Sequence, residues 1–254
     1  GVAYGGYTRA RALADEAISA VVSTGLQLRC LDMEGPDRIP GSADDDGQVD
    51  GVLILHAGPG QQNDPQAGLI QALQYFLDEP VSAGGVTATF YATASLHSGL
   101  GIWAHETAHL LGLEDRYDIL LHPDGAGDLT NRGGLGRFSL MASGAWGTGG
   151  GQGAALPDAY SCWQMGWYTA LEMPARTDAT VALAPAPVAG QVARIWTFGQ
   201  PQDEFFLLET RDPIATAPFD AGVPARQLLV YHVDESVPEG GYVVDGPGRW
   251  HLRV

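Results

Sequence analysis

From Asp115 to Gly153 the chain carries a long glycine-rich stretch, including TNRGGLGRF and GTGGGQG, with no periodic apolar pattern. A compact domain rarely keeps so long an irregular segment without a job for it. The segments before it alternate between helix and strand signals. Residues 8–24 read as a helix, with Thr8 as a cap and Gly25 as a stop. VLILHAG (52–58) is a short apolar run bounded by turn residues, the pattern of a buried strand. Asp64–Pro65 predicts a second helix running to about Asp78. VTATFYATAS (86–95) is rich in β-branched and aromatic residues and predicts a strand. Residues 100–111 predict a third helix, stopped by Gly112.

After the glycine-rich stretch a helix is expected around 157–166. From about residue 175 only short strand-like runs follow: VALAPA, QVARIWTF, EFFLLET, RQLLVYHV and GYVV. The expected class is therefore α/β (α+β), with one part over 1–174 and a β-rich part over 175–254. The chain of 254 residues is long enough to bury a sizeable core.

The charge balance excludes several roles. Thirteen basic residues, all arginine, stand against 30 acidic ones, giving a net charge of −17. Nucleic acids and anionic membranes need basic patches, so neither is an expected partner. No apolar run is long enough for a transmembrane helix. The two cysteines, Cys30 and Cys162, leave one disulfide or two free thiols equally open.

The chemistry lies in HETAHLLGLED, residues 105–115. His105 and His109 are four apart on the expected helix, so both imidazoles project from one face and can bind one metal ion. Glu106 points toward the same cleft and can hold a water there. Gly112 lets the chain turn sharply out of the helix, and Asp115 returns where a third ligand is needed, with Asp118 as an alternative. Two neutral imidazoles, one carboxylate and an open fourth position are the donor set of a catalytic Zn2+ site. The competing explanation is a helix with two partly exposed histidines and a surface glutamate. No G-x-S-x-G serine motif competes, and neither cysteine has a catalytic context.

The long motif resembles that of the metzincin zinc proteases. The closer resemblance is to the immune inhibitor A family of secreted bacterial metallopeptidases, peptidase family M6. It rests on ADDDGQVDGVLILHAGPGQ (43–61), HETAHLLGLEDRYD (105–118), FSLMASGAW (138–146), MGW (165–167), EFFLLETRD (204–212) and LLVYHVD (228–234), in that order. The resemblance implies a metzincin-like catalytic domain, zinc on His105, His109 and Asp115, Glu106 as general base, and Met141 in a methionine turn. It also implies a secreted endopeptidase acting on proteins or peptides, and a monomer is expected. Asp115 stands where most metzincins have a third histidine, and Glu114 stands where the family commonly has proline. A zinc amidase or peptidoglycan hydrolase, and a non-catalytic zinc-containing binding module, are the other readings of the same site.

Asp44, Asp46 and Asp50, with Gly47 among them, suggest a Ca2+ loop. Leu55 occupies the place of the EF-hand's last glutamate, so any such site is not an EF-hand. The plain alternative is a solvated acidic turn. His56 reads as a packed histidine and His97 as a loop histidine. Tyr117 and Tyr160 are candidates for oxyanion contact, and Trp146, Trp163 and Trp167 for core beneath the metal.

Overall fold

The computed structural model describes residues 3–61, 63–64, 69–117, 134–174, 178, 180–236 and 252–253. The chain forms a mixed α and β structure of two compact units, Gly1–Gly112 and Leu113–Val254. The boundary expected near 174 thus falls inside the second unit. Composition changes there because strands take over. Packing divides earlier, where the helix carrying the histidines ends.

In the first unit α1 (Ala3–Ser23) begins before Thr8, which lies within the helix rather than at its cap. Ala10, Ala14 and Ile18, spaced by four, form its buried face. β1 (Leu53–His56), β2 (Leu73–Ala83) and β3 (Val86–Ser95) make a sheet in the order β1-β3-β2. β1 runs parallel to β3, with Leu53 opposite Ala92, and β2 runs antiparallel to it, with Tyr75 opposite Tyr91. Ala14, Ile18, Leu28, Val49, Leu77, Val86, Ala88 and Tyr91 form the core of this unit.

β2 corrects the helix expected to run to Asp78. Leu73 to Phe76 instead pair with Phe90 to Thr93, and the register shifts between Phe76 and Val81. Pro80 sits inside that irregularity, where a strand tolerates a missing N–H. The aromatic pair Tyr75–Phe76 suits a pleated surface, and pairing with β3 outweighs the local helix-start signal. Residues 65–68, which carry that signal, lie outside the described residues.

β3 ends in five residues from Tyr91 to Ser95, each fully buried. It leads through Leu96–Gly99 into α2 (Leu100–Leu110), close to the expected span.

Among the described residues the second unit contains α3 (Ala159–Gln164), β4 (Thr169–Glu172), α4 (Ala186–Ala189), β5 (Gln191–Trp196), β6 (Glu204–Arg211), β7 (Gln227–Asp234) and β8 (Leu252–Arg253). The strands form one sheet in sequence order, antiparallel except for the parallel pair β4–β5. VALAPA is not a strand, because Pro185 caps the single-turn helix α4. GYVV lies outside the described residues. Cys30 is exposed and Cys162 buried, and both are free thiols. Burial and the nearby carboxylates of Asp158 and Glu209 push the Cys162 thiol well above its ordinary range.

Alternate residues of β6 face inward: Phe205, Leu207, Glu209 and Arg211. Two of these four are charged, and each is completely buried. Arg211 Nε donates to Glu209 Oε1 at 2.9 Å, Nη1 to Asp220 Oδ1 at 2.7 Å and Nη2 to the Pro157 carbonyl at 2.6 Å. The Tyr231 hydroxyl donates to Glu209 Oε2 at 2.7 Å. The Leu156 N–H donates to Asp220 Oδ1 at 3.0 Å. Removing one member of a buried ionic cluster leaves its partners desolvated and uncompensated. Arg211→Met is therefore expected to lower stability by about 3–5 kcal/mol in urea unfolding. A loss below about 1 kcal/mol would show that the cluster is not holding this unit together.

Candidate metal centre

Ser95, at the end of β3, fixes the start of α2. Its carbonyl accepts from Trp103 Nε1 at 2.8 Å and from the Ser98 N–H at 3.0 Å. Its hydroxyl donates to the Gly58 carbonyl and accepts from the His97 N–H at 2.9 Å. The helix is thereby tied to the sheet at its first turn. His105 and Glu106 are buried on α2, together with Ile102 and Ala108. His109, one turn beyond His105, is partly buried.

The Nε2 atoms of His105 and His109 lie 3.2 Å apart, and the rings are nearly perpendicular, at 86°. Two imidazole nitrogens each about 2.0–2.1 Å from one tetrahedral ion would be separated by about 3.3 Å. The pair therefore fits zinc ligation without any rearrangement of the helix. Gly112 then ends α2: its φ is 92°, and its N–H donates to the His109 carbonyl at 3.0 Å. A side chain is strained in that conformation, so glycine is the natural residue there.

Asp115 is partly buried near the start of the second unit. The residue after it is held from several directions. The Arg116 N–H donates to the Met141 carbonyl at 2.7 Å, and the Arg116 carbonyl accepts from the Leu135 N–H at 2.9 Å. The approach on that side is so close that a Cβ on Gly134 would lie 1.8 Å from the Arg116 carbonyl oxygen. The Arg116 guanidinium is buried. It donates to Ser161 Oγ at 3.3 Å and Gln164 Oε1 at 2.8 Å, and lies 5.2 Å above the Tyr160 ring centre.

Met141 is completely buried in a tight turn, with the Ala142 N–H donating to the Ser139 carbonyl at 3.1 Å. The Ser139 hydroxyl donates to Asp158 Oδ2 at 2.7 Å and accepts from the Met141 N–H at 3.0 Å. Asp158 also caps α3, accepting from the Ser161 N–H and hydroxyl, each at 2.9 Å. One buried carboxylate thus joins the methionine turn to α3, which in turn holds Arg116. The sequence carries no signal for Arg116 as an anchor, since a lone arginine after a candidate ligand has no distinguishing pattern.

Other expected positions fare differently. Tyr160 is buried, but its hydroxyl is engaged with Glu235 Oε1 at 3.1 Å. Tyr117 is exposed, and Asp118 lies outside the described residues. Trp163 packs on the core, whereas Trp146 and Trp167 are exposed and do not form core. His56 is buried, with Nδ1 3.2 Å from the Ala57 carbonyl, and His97 is exposed.

The acidic loop is rearranged relative to its motif. One oxygen each from Asp32, Glu34 and Asp46 lie within 4.8 Å of one another. Asp44 does not join them: it accepts from the Ser42 hydroxyl and from the Asp37 N–H. Asp50 Oδ1 accepts from the Met33 N–H at 3.3 Å. Burial, and then the Glu34 carboxylate, push Asp32 up to about 6. Backbone donors, its own N–H and that of Asp46, pull Glu34 down to about 2.

Residues 76–172 match the family model of the immune inhibitor A peptidase M6 catalytic domain. That span contains α2, Asp115 and the Met141 turn. This span is similar to the catalytic domain of an immune inhibitor A-like M6 peptidase. The chain is also 28% identical over 157 residues to immune inhibitor A of Bacillus thuringiensis subsp. alesti, an alignment covering 54% of this chain and 21% of the relative. The chain thus matches about a fifth of that relative's length.

The shared carboxylate of Asp158 should be costly to remove. Asp158→Ala strips the acceptor from Ser139 and from the α3 cap together. An expected loss of roughly 2–3 kcal/mol in chemical unfolding follows. Ser161→Ala, which removes a single hydroxyl, should cost about 1 kcal/mol. Equal losses from the two variants would argue against a carboxylate with two duties.

Proposed function

We propose that the chain is a secreted zinc-dependent endopeptidase that hydrolyses peptide bonds of protein substrates with a water nucleophile. The observation that carries this reading is the pair of Nε2 atoms on α2, 3.2 Å apart, with the buried Glu106 beside them. His105 and His109 would hold the ion through Nε2, and Asp115 would supply a carboxylate as third ligand. Two imidazoles and one carboxylate would match the protein donor set of catalytic zinc sites. The family match supports a metal at this site, and all three donors are types that zinc accepts.

Zinc at such a site lowers the pKa of a coordinated water toward about 7 and polarises a carbonyl oxygen. Glu106 takes the proton of the attacking water and passes it to the leaving amine, so one carboxylate serves as base and then as acid. Its burial at 5% exposure keeps bulk water from competing for that proton. No side chain forms a covalent bond to the substrate. Met141 supports the site from within its buried turn. Among the described residues, no helix is long and apolar enough to cross a membrane, which is compatible with release from the cell.

Glu106→Gln tests the assignment. It should lower casein hydrolysis by about 10²–10⁴-fold while leaving zinc content by elemental analysis unchanged. His105→Ala should lose the zinc itself, and a strong chelator should stop hydrolysis by the unaltered protein. Wild-type turnover by Glu106→Gln would overturn the role given to this glutamate.

A further inference from the structure

We infer that Arg116, closed into a ring of hydrogen bonds with Met141, Ser139, Asp158 and Ser161, is the positioning residue that presents Asp115 to the metal. This role rests on the proposed zinc site and deepens it. The ring lies wholly within the second unit. The Arg116 N–H donates to the Met141 carbonyl at 2.7 Å, and the Met141 N–H donates to Ser139 Oγ at 3.0 Å. The Ser139 hydroxyl donates to Asp158 Oδ2 at 2.7 Å, and the Ser161 hydroxyl donates to the same oxygen at 2.9 Å. Ser161 Oγ in turn accepts from Arg116 Nε at 3.3 Å, and the path returns to the residue where it began.

Both hydroxyls of the ring donate one bond and accept another, so neither can turn without breaking its neighbour's contact. Ser139, Met141, Asp158 and Ser161 are completely buried, so a lost partner leaves a desolvated group that bulk water does not reach. Arg116 is held at its other groups too. Its carbonyl accepts from the Leu135 N–H at 2.9 Å, Nη2 donates to Gln164 Oε1 at 2.8 Å, and the guanidinium lies 5.2 Å from the Tyr160 ring centre. Asp115 is joined to this fixed residue by one peptide bond. Its carboxylate is left with rotation about its own backbone and side-chain bonds alone.

Stability alone does not account for such a ring. A carboxylate, two hydroxyls and a guanidinium are costly to bury, and apolar residues of similar volume often stabilise a core as well or better. Hydrogen bonds supply direction, which apolar packing does not. Direction is what a metal ligand on irregular chain needs, because groups one step behind a ligand tune affinity by orienting it. Arginine suits the place better than lysine: its planar fork meets Ser161 and Gln164 at once, whereas an ammonium is a point charge without fixed donor directions.

The test is the zinc affinity of the full chain, read by competition with a chromophoric chelator, with the visible spectrum of the cobalt-substituted protein as a second readout. Neither depends on peptidase activity. Arg116→Met should weaken zinc binding by about tenfold and change the cobalt spectrum. Ser161→Ala, which opens the ring at one bond, should weaken binding severalfold and serves if Arg116→Met fails to fold. Arg116→Lys, which keeps the charge without the fork, should behave like Arg116→Met. Leu207→Ala, a core truncation outside the ring, should lower the melting temperature yet leave zinc affinity within about twofold. In an Asp115→Ala background, neither Arg116→Met nor Ser161→Ala should add a further loss, because both act through Asp115. The assignment is overturned by unchanged affinity in Arg116→Met and Ser161→Ala, by unaltered affinity in Arg116→Lys, or by equal losses with and without Asp115. Unchanged affinity in Asp115→Ala or His105→Ala would instead remove the zinc site itself, and the positioning role with it.

Discussion

The second unit is organised around the buried guanidinium of Arg211. It answers two carboxylates and two backbone carbonyls at once, from a strand position that the alternation of β6 points into the core. A charge in that place is tolerated only because every strong donor meets an acceptor. The geometry reaches beyond the cluster. Asp220, held by Arg211, accepts from the Leu156 N–H, and the Leu156 carbonyl accepts from the Leu140 N–H at 3.1 Å. Leu140 adjoins Met141. The methionine turn is therefore set by a polar lattice that begins in the sheet, as well as by apolar burial.

Two kinds of constraint place the donors proposed for the metal. The separation of His105 and His109 belongs to one helix: a spacing of four residues and a first turn pinned to Ser95 suffice. Asp115 has no helix to place it. Its position follows from Arg116, whose backbone is bonded on both sides and whose side chain is buried against α3. Donors of the first kind tolerate change in surrounding residues. A donor of the second kind depends on several distant side chains, each making one short contact.

This difference decides what was legible in the sequence. β3 and α2 could be read with nearly their final bounds, because β-branched alternation and helical spacing are local signals. β2 could not, since Asp64–Pro65 is a sound helix start and only the partner strand reverses its meaning. VALAPA looked like a strand by composition, and Pro185 made a helical turn of its end. The boundary near 174 tracked a change of element type, while packing divided the chain at Gly112. In the site, His105, Glu106 and His109 were visible as a motif, and the family match covers them. Arg116 and Asp158 were not visible, because their importance lies in partners 19 to 48 residues away, or in a double hydrogen-bonding duty that no linear pattern encodes.

The acidic loop carries the same lesson in sharper form. Spacing alone favoured Asp44, Asp46 and Asp50, because ligand loops are commonly read as one continuous run. In the fold, a short side-chain contact to Ser42 satisfies Asp44, which removes its reason to face an ion. The buried carboxyl is Asp32, twelve positions upstream of Asp44, and its Oδ1 lacks a hydrogen-bond partner. Burial rather than spacing distinguishes the two aspartates. An exposed carboxylate can be satisfied by water and needs no ion, whereas a buried one without a donor must find a cation or a proton.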